Sequence, residues 1–449
     1  MDPAPATGPG TIRATHALCP TCLRSVPAEV REEDGEIRLV KQCPAHGPSR
    51  VFLSSHADYY RDLNRFYFAV MRRSHPQRDY ILRLTERCNL ECPICLAGAN
   101  QDVLADFTLE DVRRLTRRHR RTKFDLMGCE PTLMDTLPDI IREIAASGNI
   151  SALHTNGLAL EDPDYVARLK AAGLDEVHLQ FDGFDDDAYR TIRGRPLLEG
   201  KMKTLGNLAA HGIPVDLVMT ILAGVNEKEI LPVLEFGLRQ PNVKEIFFLG
   251  CRMLGRAAGG FESQQLLPDQ VIDLLETATA GRIRRDDVRR FQKLYFAMLS
   301  VFGVRKCLYI QHYLLMRGRD GAYRTIAEAL DLDRLDPALE RYRERVERGG
   351  RRGAAVRLAL ECLPILLAPR ALPLLGEFAA LTLLMALGFN LRRVRRRSVL
   401  LGYITACDPL IYDADVADNC GKGEISRDLG VQESGALANV MREHRWRAS

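Results

Sequence analysis

Three cysteines in this chain are spaced to hold iron and leave part of it open. Cys88, Cys92 and Cys95 lie in the run Cys88-Asn89-Leu90-Glu91-Cys92-Pro93-Ile94-Cys95. Such a loop offers three soft thiolates, whereas a cubane iron–sulfur cluster has four irons to ligate. The iron left without a protein ligand can bind a small molecule and pass an electron into it. A cluster held by four cysteines serves electron transfer alone. The competing readings are a zinc knuckle or three unrelated buried thiols. Both are disfavoured by the strand that precedes the loop, Tyr80-Ile81-Leu82-Arg83-Leu84-Thr85, and by the motifs that follow it. Glu86 and Arg87 lead into the loop, where Asn89 and Pro93 disfavour regular helix.

A second set of ligands lies nearer the start of the chain. Cys19-Pro20-Thr21-Cys22 and Cys43-Pro44-Ala45-His46-Gly47 are two knuckles, with Glu36 to Lys41 reading as a strand between them. This separation suits one tetrahedral ion on Cys19, Cys22, Cys43 and His46. Zinc is expected over iron, because histidine commonly replaces a fourth thiolate in structural zinc sites. The ion would staple a module too small to fold on its own apolar core.

The elements that must position these ligands follow from patterning. From residue 80 to about 250, strand candidates at 80–85, 124–127, 150–155, 175–182, 214–222 and 244–250 alternate with helix candidates. The helices are expected at 108–121, 135–147, 162–172, 198–211 and 227–240. Thr108 ahead of Leu109-Glu110-Asp111 makes an N-cap with an acidic first turn. Gly148, Gly173 and Gly212 stand where C-caps belong. Six βα units imply a parallel sheet whose working residues sit at the C-terminal strand ends. Those ends carry Gly128-Cys129-Glu130-Pro131-Thr132, Asn156-Gly157, Gln180-Phe181-Asp182 and Ala223-Gly224-Val225-Asn226.

The C-x3-C-x2-C loop after a first strand, with the Gly128 to Thr132 run after a second, resembles the radical S-adenosylmethionine (SAM) superfamily. The resemblance implies a partial (β/α)6 barrel, a [4Fe-4S] cluster on Cys88, Cys92 and Cys95, and SAM at its open iron. It further implies cleavage of SAM to a 5′-deoxyadenosyl radical that takes hydrogen from an unactivated carbon. Gly128, Glu130 and Pro131 match the motif that holds the amino end of SAM, with Cys129 in place of a glycine. Ile94 replaces the aromatic residue usual before the third cysteine. By the same resemblance, Asn156, Gln180 and Asp182 offer groups for the ribose or ammonium, and Arg190 and Arg193 for the carboxylate. Gly224 and Asn226 resemble the adenine-binding turn. With the N-terminal knuckles and the run Phe247 to Arg256, the chain looks like the subgroup containing archaeal tetraether lipid synthase and the dihydropterin methylase of methanogens. That similarity covers residues 19 to about 260. Members carry further cysteine-ligated clusters; here Cys251, Cys407 and Cys420 are the candidates for one auxiliary cluster, with simple buried thiols as the alternative.

Length and composition bound the rest. The 449 residues exceed a single ordinary core. The divisions expected are a metal knuckle at 12–50, a linker at 51–79, the barrel at 80–260 and a mostly helical region at 261–449. An apolar content of 46% and a charged content of 27% are those of a soluble protein, and a net charge of +4 does not argue for nucleic acid. Basic clusters at Arg113 to Lys123 and Arg392 to Arg397 read as solvated helix faces or as local attraction for acidic groups. The Pro-, Gly- and Ala-rich opening is expected to lack fixed structure and carries no secretory signal, so a cytoplasmic setting without disulfides is expected. Residues 354–390 are apolar, yet the longest charge-free run, Phe378 to Leu391, has 14 residues. A span needs about 20. The segment therefore reads as core, as a hydrophobic substrate tunnel, or as helices lying peripherally on the inner membrane face.

The function these readings favour is radical SAM chemistry at an unactivated carbon of a lipid-like substrate, by C–C coupling or methylation. An enzymatic alternative is methylation of a pterin-like heterocycle or a peptide. A non-catalytic iron–sulfur and zinc adaptor is the alternative of a different class. The enzyme would take electrons from a ferredoxin- or flavodoxin-type donor.

Overall fold

The computed structural model describes residues 10–71, 76–101, 104–258, 260–261, 264–318, 322–386, 397–404 and 408–448. The opening residues 1–9, the basic run at 392–396 and Cys407 lie outside these. The chain starts with an antiparallel ribbon of β1 (Thr11–Leu18), β2 (Ser25–Glu33), β3 (Glu36–Cys43) and β4 (Gly47–Ser54), paired in that order. Helix α1 (Ala57–Val70) follows. The stretch expected as a linker is thus a strand end and a helix. Tyr59, Tyr60, Leu63, Phe66, Tyr67 and Val70 recur at helical spacing and are buried, so the aromatic run packs as one face of α1.

Six βα units come next. They are β5 (Asp79–Thr85), α2 (Leu109–Arg118), β6 (Lys123–Gly128), α3 (Leu137–Ala146), β7 (Ile150–Thr155) and α4 (Pro163–Ala172). Then come β8 (Glu176–Gln180), α5 (Asp186–Arg193), α6 (Leu198–Ala210), β9 (Val215–Ile221), α7 (Ile230–Arg239) and β10 (Val243–Gly250). Thr108 caps α2 as expected: its hydroxyl accepts from the Asp111 N–H at 3.2 Å and the Asp111 carboxylate accepts from the Thr108 N–H at 2.9 Å.

The C-terminal region is largely helical, with α8 (Pro268–Ala278), α9 (Arg285–Phe302), α10 (Ile326–Ala329), α11 (Leu332–Glu347), α12 (Arg351–Leu366), α13 (Leu372–Ala386), α14 (Ala414–Ala417) and α15 (Gly435–Ala448). It also contributes β11 (Ile310–Arg317), β12 (Tyr323–Thr325), β13 (Ser398–Ile404), β14 (Gly423–Ser426) and β15 (Gly430–Gln432) to the same sheet. The strand order is β12-β11-β13-β10-β9-β8-β7-β6-β5-β14-β15. Strands β5 to β10 run parallel, β13 extends them beyond β10 and β14 beyond β5, and the sheet does not close.

Strand alternation divides this sheet into two chemistries. Phe124, Leu126, Leu153, Val177, Leu179, Leu217, Met219, Ile246 and Phe248 face one way and join the main apolar core with helix residues such as Ile140, Leu169, Leu208 and Leu234. The alternating positions on the inner face are Lys123, Asp125, His154, Glu176, His178, Asp216 and Phe247.

Lys41 ties the ribbon to the rest. Its ammonium is buried and donates to the carbonyls of Leu18 (2.9 Å), Pro409 (3.1 Å) and Leu410 (2.5 Å). Arg13 beside it pairs with the buried Asp413. Replacing Lys41 by Met strands three acceptors, at a cost of roughly 1–3 kcal/mol each where no water replaces the donor. The variant should unfold at lower urea and be cleaved by protease near residue 55 before the barrel is; wild-type resistance there would show that Lys41 is not the tie.

Candidate functional site

At the N-terminal end, Cys19, Cys22, Cys43 and His46 converge as expected, their ligand atoms all within 4.8 Å of one another. The Cys43 sulfur is 3.5 Å and the Cys19 sulfur 3.7 Å from His46 Nδ1, and the Cys22 and Cys43 sulfurs are 4.0 Å apart. Metal–sulfur bonds of about 2.3 Å in a tetrahedron give edges of about 3.7 Å, so one ion fits this set. Burial opposes ionisation of Cys19, but N–H groups of Cys22 and Thr21 and the neighbouring thiols hold it down at about 6, where a thiolate ligand is available.

The loop of Cys88, Cys92 and Cys95 leaves β5 at the C-terminal edge of the sheet. Its shape is set by close backbone contacts. Gly128 ends β6 with φ +119°, and a Cβ there would stand 2.3 Å from the Thr85 carbonyl oxygen, so only glycine lets β5 and β6 approach this closely. Asn100 braces the loop: its Oδ1 accepts from the Cys88 N–H at 2.9 Å, and its Nδ2 donates to the Cys88 carbonyl at 3.2 Å and to Glu91 at 2.7 Å. From the far side, the Arg256 N–H donates to the Cys95 carbonyl at 3.0 Å and its guanidinium pairs with Glu91. Gly255, with φ +56°, leaves no room for a Cβ beside Cys95 O, which would lie 2.5 Å away.

Burial pushes the Cys88 thiol up to about 11, and Glu130, Cys92 and Cys95 add to the rise; Cys92 is also raised, first by burial. The three sulfurs do not converge as ligands of a single ion do. Soft donors spread over one loop, and costly to ionise without a cation, fit a cluster that gives each thiolate its own iron.

Glu130 is placed differently from the expectation that it faces a ligand. It is 1% exposed, and its carboxylate accepts from the Thr132 hydroxyl (2.6 Å), the Thr155 hydroxyl (2.8 Å) and the Asn156 N–H (2.8 Å). Burial raises its pKa against these donors. Pro131 opens the short turn that follows, and Glu130 thereby fixes the ends of β6 and β7 together. Asn156, so held, donates to Asn89 at 2.7 Å, with the Cys88 sulfur 4.0 Å away.

The remaining strand ends form one connected network. Asp182, fully buried, accepts both arms of Arg193 at 2.8 and 3.0 Å and the Thr220 N–H at 2.9 Å. Asp182 and Cys92 raise the pKa of Arg193 against the opposing effect of burial. Gln180 donates to Asp182 and accepts from Lys201 at 3.1 Å. Lys201 also donates to the Asn156 carbonyl, and burial lowers it to about 7. Asn226 is internal, clipping the Asp182 carbonyl (3.0 Å) to the Thr220 carbonyl (2.9 Å). The Gly224 N–H turns to Glu227 at 2.9 Å.

Arg190 does not join this network: it is exposed and pairs one helical turn back with Asp187 at 2.5 Å. Cys251 and Cys420 are not gathered either; each packs in a different apolar cluster, and no group of three potential ligands among the described residues includes them. Lys201, Asn100 and Arg256 escaped the sequence reading. Lys201 and Asn100 stand outside any motif, while Arg256 ends one whose contacts no spacing shows.

Beneath the strand ends, the inner face is polar. His154 and His178 stack with ring centres 4.1 Å apart, and Phe247 continues the stack at 6.5 Å. Lys123 lies 3.1 Å from Asp125 and 2.9 Å from Glu176, and His178 lies 3.3 Å from both Glu176 and Asp216. Burial, aided by the Lys123 charge, pushes each imidazole down to about 3.

Residues 82–237 match the Radical SAM superfamily, and residues 11–55 match the HMPTM N-terminal zinc ribbon domain. The chain carries a radical SAM domain. Such a domain works with a [4Fe-4S] cluster and SAM, and the donor set above fits both that cluster and a separate ribbon ion. Over 306 residues the chain is 31% identical to 7,8-dihydro-6-hydroxymethylpterin dimethyltransferase of Methanocaldococcus jannaschii, covering 61% of this chain and 60% of that protein. Over 175 residues it is 34% identical to the GTP 3′,8-cyclase of Corynebacterium glutamicum, covering 35% of this chain and 45% of that one. The chain therefore spans about half to three-fifths of these relatives. Among solved structures, SuiB of Streptococcus suis bound to its precursor peptide gives a TM-score of 0.41 at 13% identity, covering 51% of each chain. Methylornithine synthase gives 0.37 at 12%, covering 50% of this chain and 67% of that one.

Two predictions follow from this geometry. Anoxically purified Cys92→Ala should lose most iron and sulfide while keeping one zinc per chain, and Cys43→Ser should do the reverse; metal and sulfide analysis reads both. The two imidazoles bind fewer protons folded than unfolded between about pH 3 and pH 6.5, so stability falls as pH drops below 6.5. Each should cost roughly 1 kcal/mol between about pH 7.5 and pH 5.5. Denaturant unfolding of His178→Asn should show the shallower loss over that range, and equal slopes would contradict the neutral-imidazole reading.

Proposed function

We propose that this protein is a radical SAM methyltransferase acting on a carbon of a pterin-like, hydrogen-bonding heterocycle. The observation that carries the chemistry is the braced loop of Cys88, Cys92 and Cys95 beside the Glu130–Asn156 contact. When bound, the cluster supplies one-electron cleavage of the sulfur–carbon bond of SAM. The chain's own residues then have positioning to do. Gly128 and Pro131 shape the edge against which the amino end of SAM would rest, and Glu130 acts on it through Asn156. Gln180, Asp182 and Arg193 present a rigid polar wall for its ribose and carboxylate, and Gly224 and Asn226 hold the turn for adenine.

The heterocycle is supported by the inner face. A flat ring with donors and acceptors could stack against imidazoles and meet carboxylates, whereas an alkyl chain there would desolvate Asp125, Glu176 and Asp216 without return. The methyl-transferring relative, 31% identical over 306 residues, supports the same choice. A lipid-like substrate undergoing coupling or methylation is the second reading, favoured by the apolar surface of α12 and α13. The electron donor would be of ferredoxin or flavodoxin type.

Turnover by reconstituted protein with candidate pterins and a strong reductant tests this. 5′-Deoxyadenosine together with S-adenosylhomocysteine supports methylation, and deoxyadenosine alone supports coupling or rearrangement. Bound but never cleaved SAM would favour the adaptor. Glu130→Gln should retain iron yet slow SAM cleavage by roughly 10²-fold, the expected scale for a misplacement of about 1 Å; an unchanged rate would remove Glu130 from the positioning chain.

A further inference from the structure

Helix α12 is apolar on two opposite faces. Ala354, Leu358, Cys362 and Ile365 are buried against the protein. On the other side, Val356, Leu360, Leu363 and Leu367 recur every three or four residues and are 62, 63, 49 and 55% exposed. Leu372 and Leu383 continue this surface along α13. Val301, Phe302 and Val304, at the end of α9, lie next to it, because the Arg351 guanidinium donates to the Ser300 hydroxyl at 3.2 Å. Nine of the thirteen exposed large apolar side chains among the described residues thus fall on α12, α13 and the end of α9, which scattered exposure does not explain.

The charges on the same surface have one sign. Both acids of these helices turn inward: Glu361 binds Arg341 at 2.9 Å and Arg345 at 2.6 Å, and Glu377 accepts from the Ser398 N–H at 3.0 Å and hydroxyl at 2.6 Å. The exposed ionised side chains of α12 and its turn into α13 are Arg352, Arg357 and Arg370, the last also paired with Asp331 at 2.9 Å. Over their sixteen and fifteen described residues the helices reach about 24 and 22 Å, less than the roughly 30 Å hydrocarbon core, and no helix among the described residues is long and apolar enough to cross a membrane. A second copy on this surface would bring arginine rims together with no exposed acid to answer them. Anionic headgroups above an acyl boundary answer both features at once.

We propose that α12, α13 and the end of α9 form a docking face that lies in the surface of a bilayer containing anionic lipid. The proposal is independent of the substrate, since it is read by binding alone. Full-length holoprotein is spun with vesicles of phosphatidylcholine containing about 30% phosphatidylglycerol, and with phosphatidylcholine alone. Wild type should sediment with the anionic vesicles, less so at high salt, and only weakly with the neutral ones. Leu360→Glu/Leu363→Glu and, separately, Arg352→Glu/Arg357→Glu should each bind at least about tenfold more weakly, with unchanged thermal unfolding and unchanged SAM cleavage in solution. Wild type remaining in the supernatant with both vesicles, or variants that sediment like wild type, would overturn the proposal. So would a wild-type dimer in light scattering that Leu360→Glu/Leu363→Glu disperses, since it would assign the surface to a second copy.

Discussion

Glu130 is buried and draws its donors from two neighbouring strand ends, so the top of β6 cannot move without the top of β7. The carboxylate receives hydroxyls from Thr132 and Thr155 and the N–H of Asn156. Removing any one leaves a buried polar group unmet. The side chain of Asn156 then reaches the cysteine loop through Asn89. Below, Gly128 admits the close approach of β5 that brings that loop alongside. Rigidity at this corner comes from satisfied polar groups on strand ends, which hold position better than a free loop.

The two sides of the sheet solve different problems. The outer side is apolar and packs under helices, as in any βα layer. The inner side holds ionised groups where water is scarce, and these are sustained by pairing: Lys123 with Asp125 and Glu176, and Arg193 with Asp182. The stacked imidazoles are held neutral by burial first, with the Lys123 charge adding to the effect.

Much of the barrel was readable because a parallel strand buried on both faces and an amphipathic helix leave opposite periodicities. The six units, the Thr108 cap and both cysteine sets follow from that and from ligand spacing. What stayed hidden depends on partners distant in sequence. Strand β13 comes late in the chain and pairs with β10 across a long interval, and β11 pairs in turn with β13; β14 and β15 are four and three residues long and carry too few positions to show alternation. The aromatic run at 59–70 shows helical spacing in the sequence, but its partner, α9, lies more than two hundred residues away. The motif names Glu130, while the direction of its side chain is fixed by Thr155 and Asn156 at the end of another strand. Cys251 and Cys420 stand apart for the same reason, since a count of thiols says nothing of which share a pocket, and Cys407 lies outside the described residues.

The contact between Gly255 and Glu443 has a practical side. The Gly255 N–H donates to a carboxylate of α15, the last helix, at 2.9 Å, and the next residue, Arg256, grips the loop of Cys95. Helix α15 therefore acts as a brace for metal ligands some 350 positions upstream. A protein trimmed at its carboxyl end, or burdened there with a bulky fusion, would be weakened at its iron rather than at its tail.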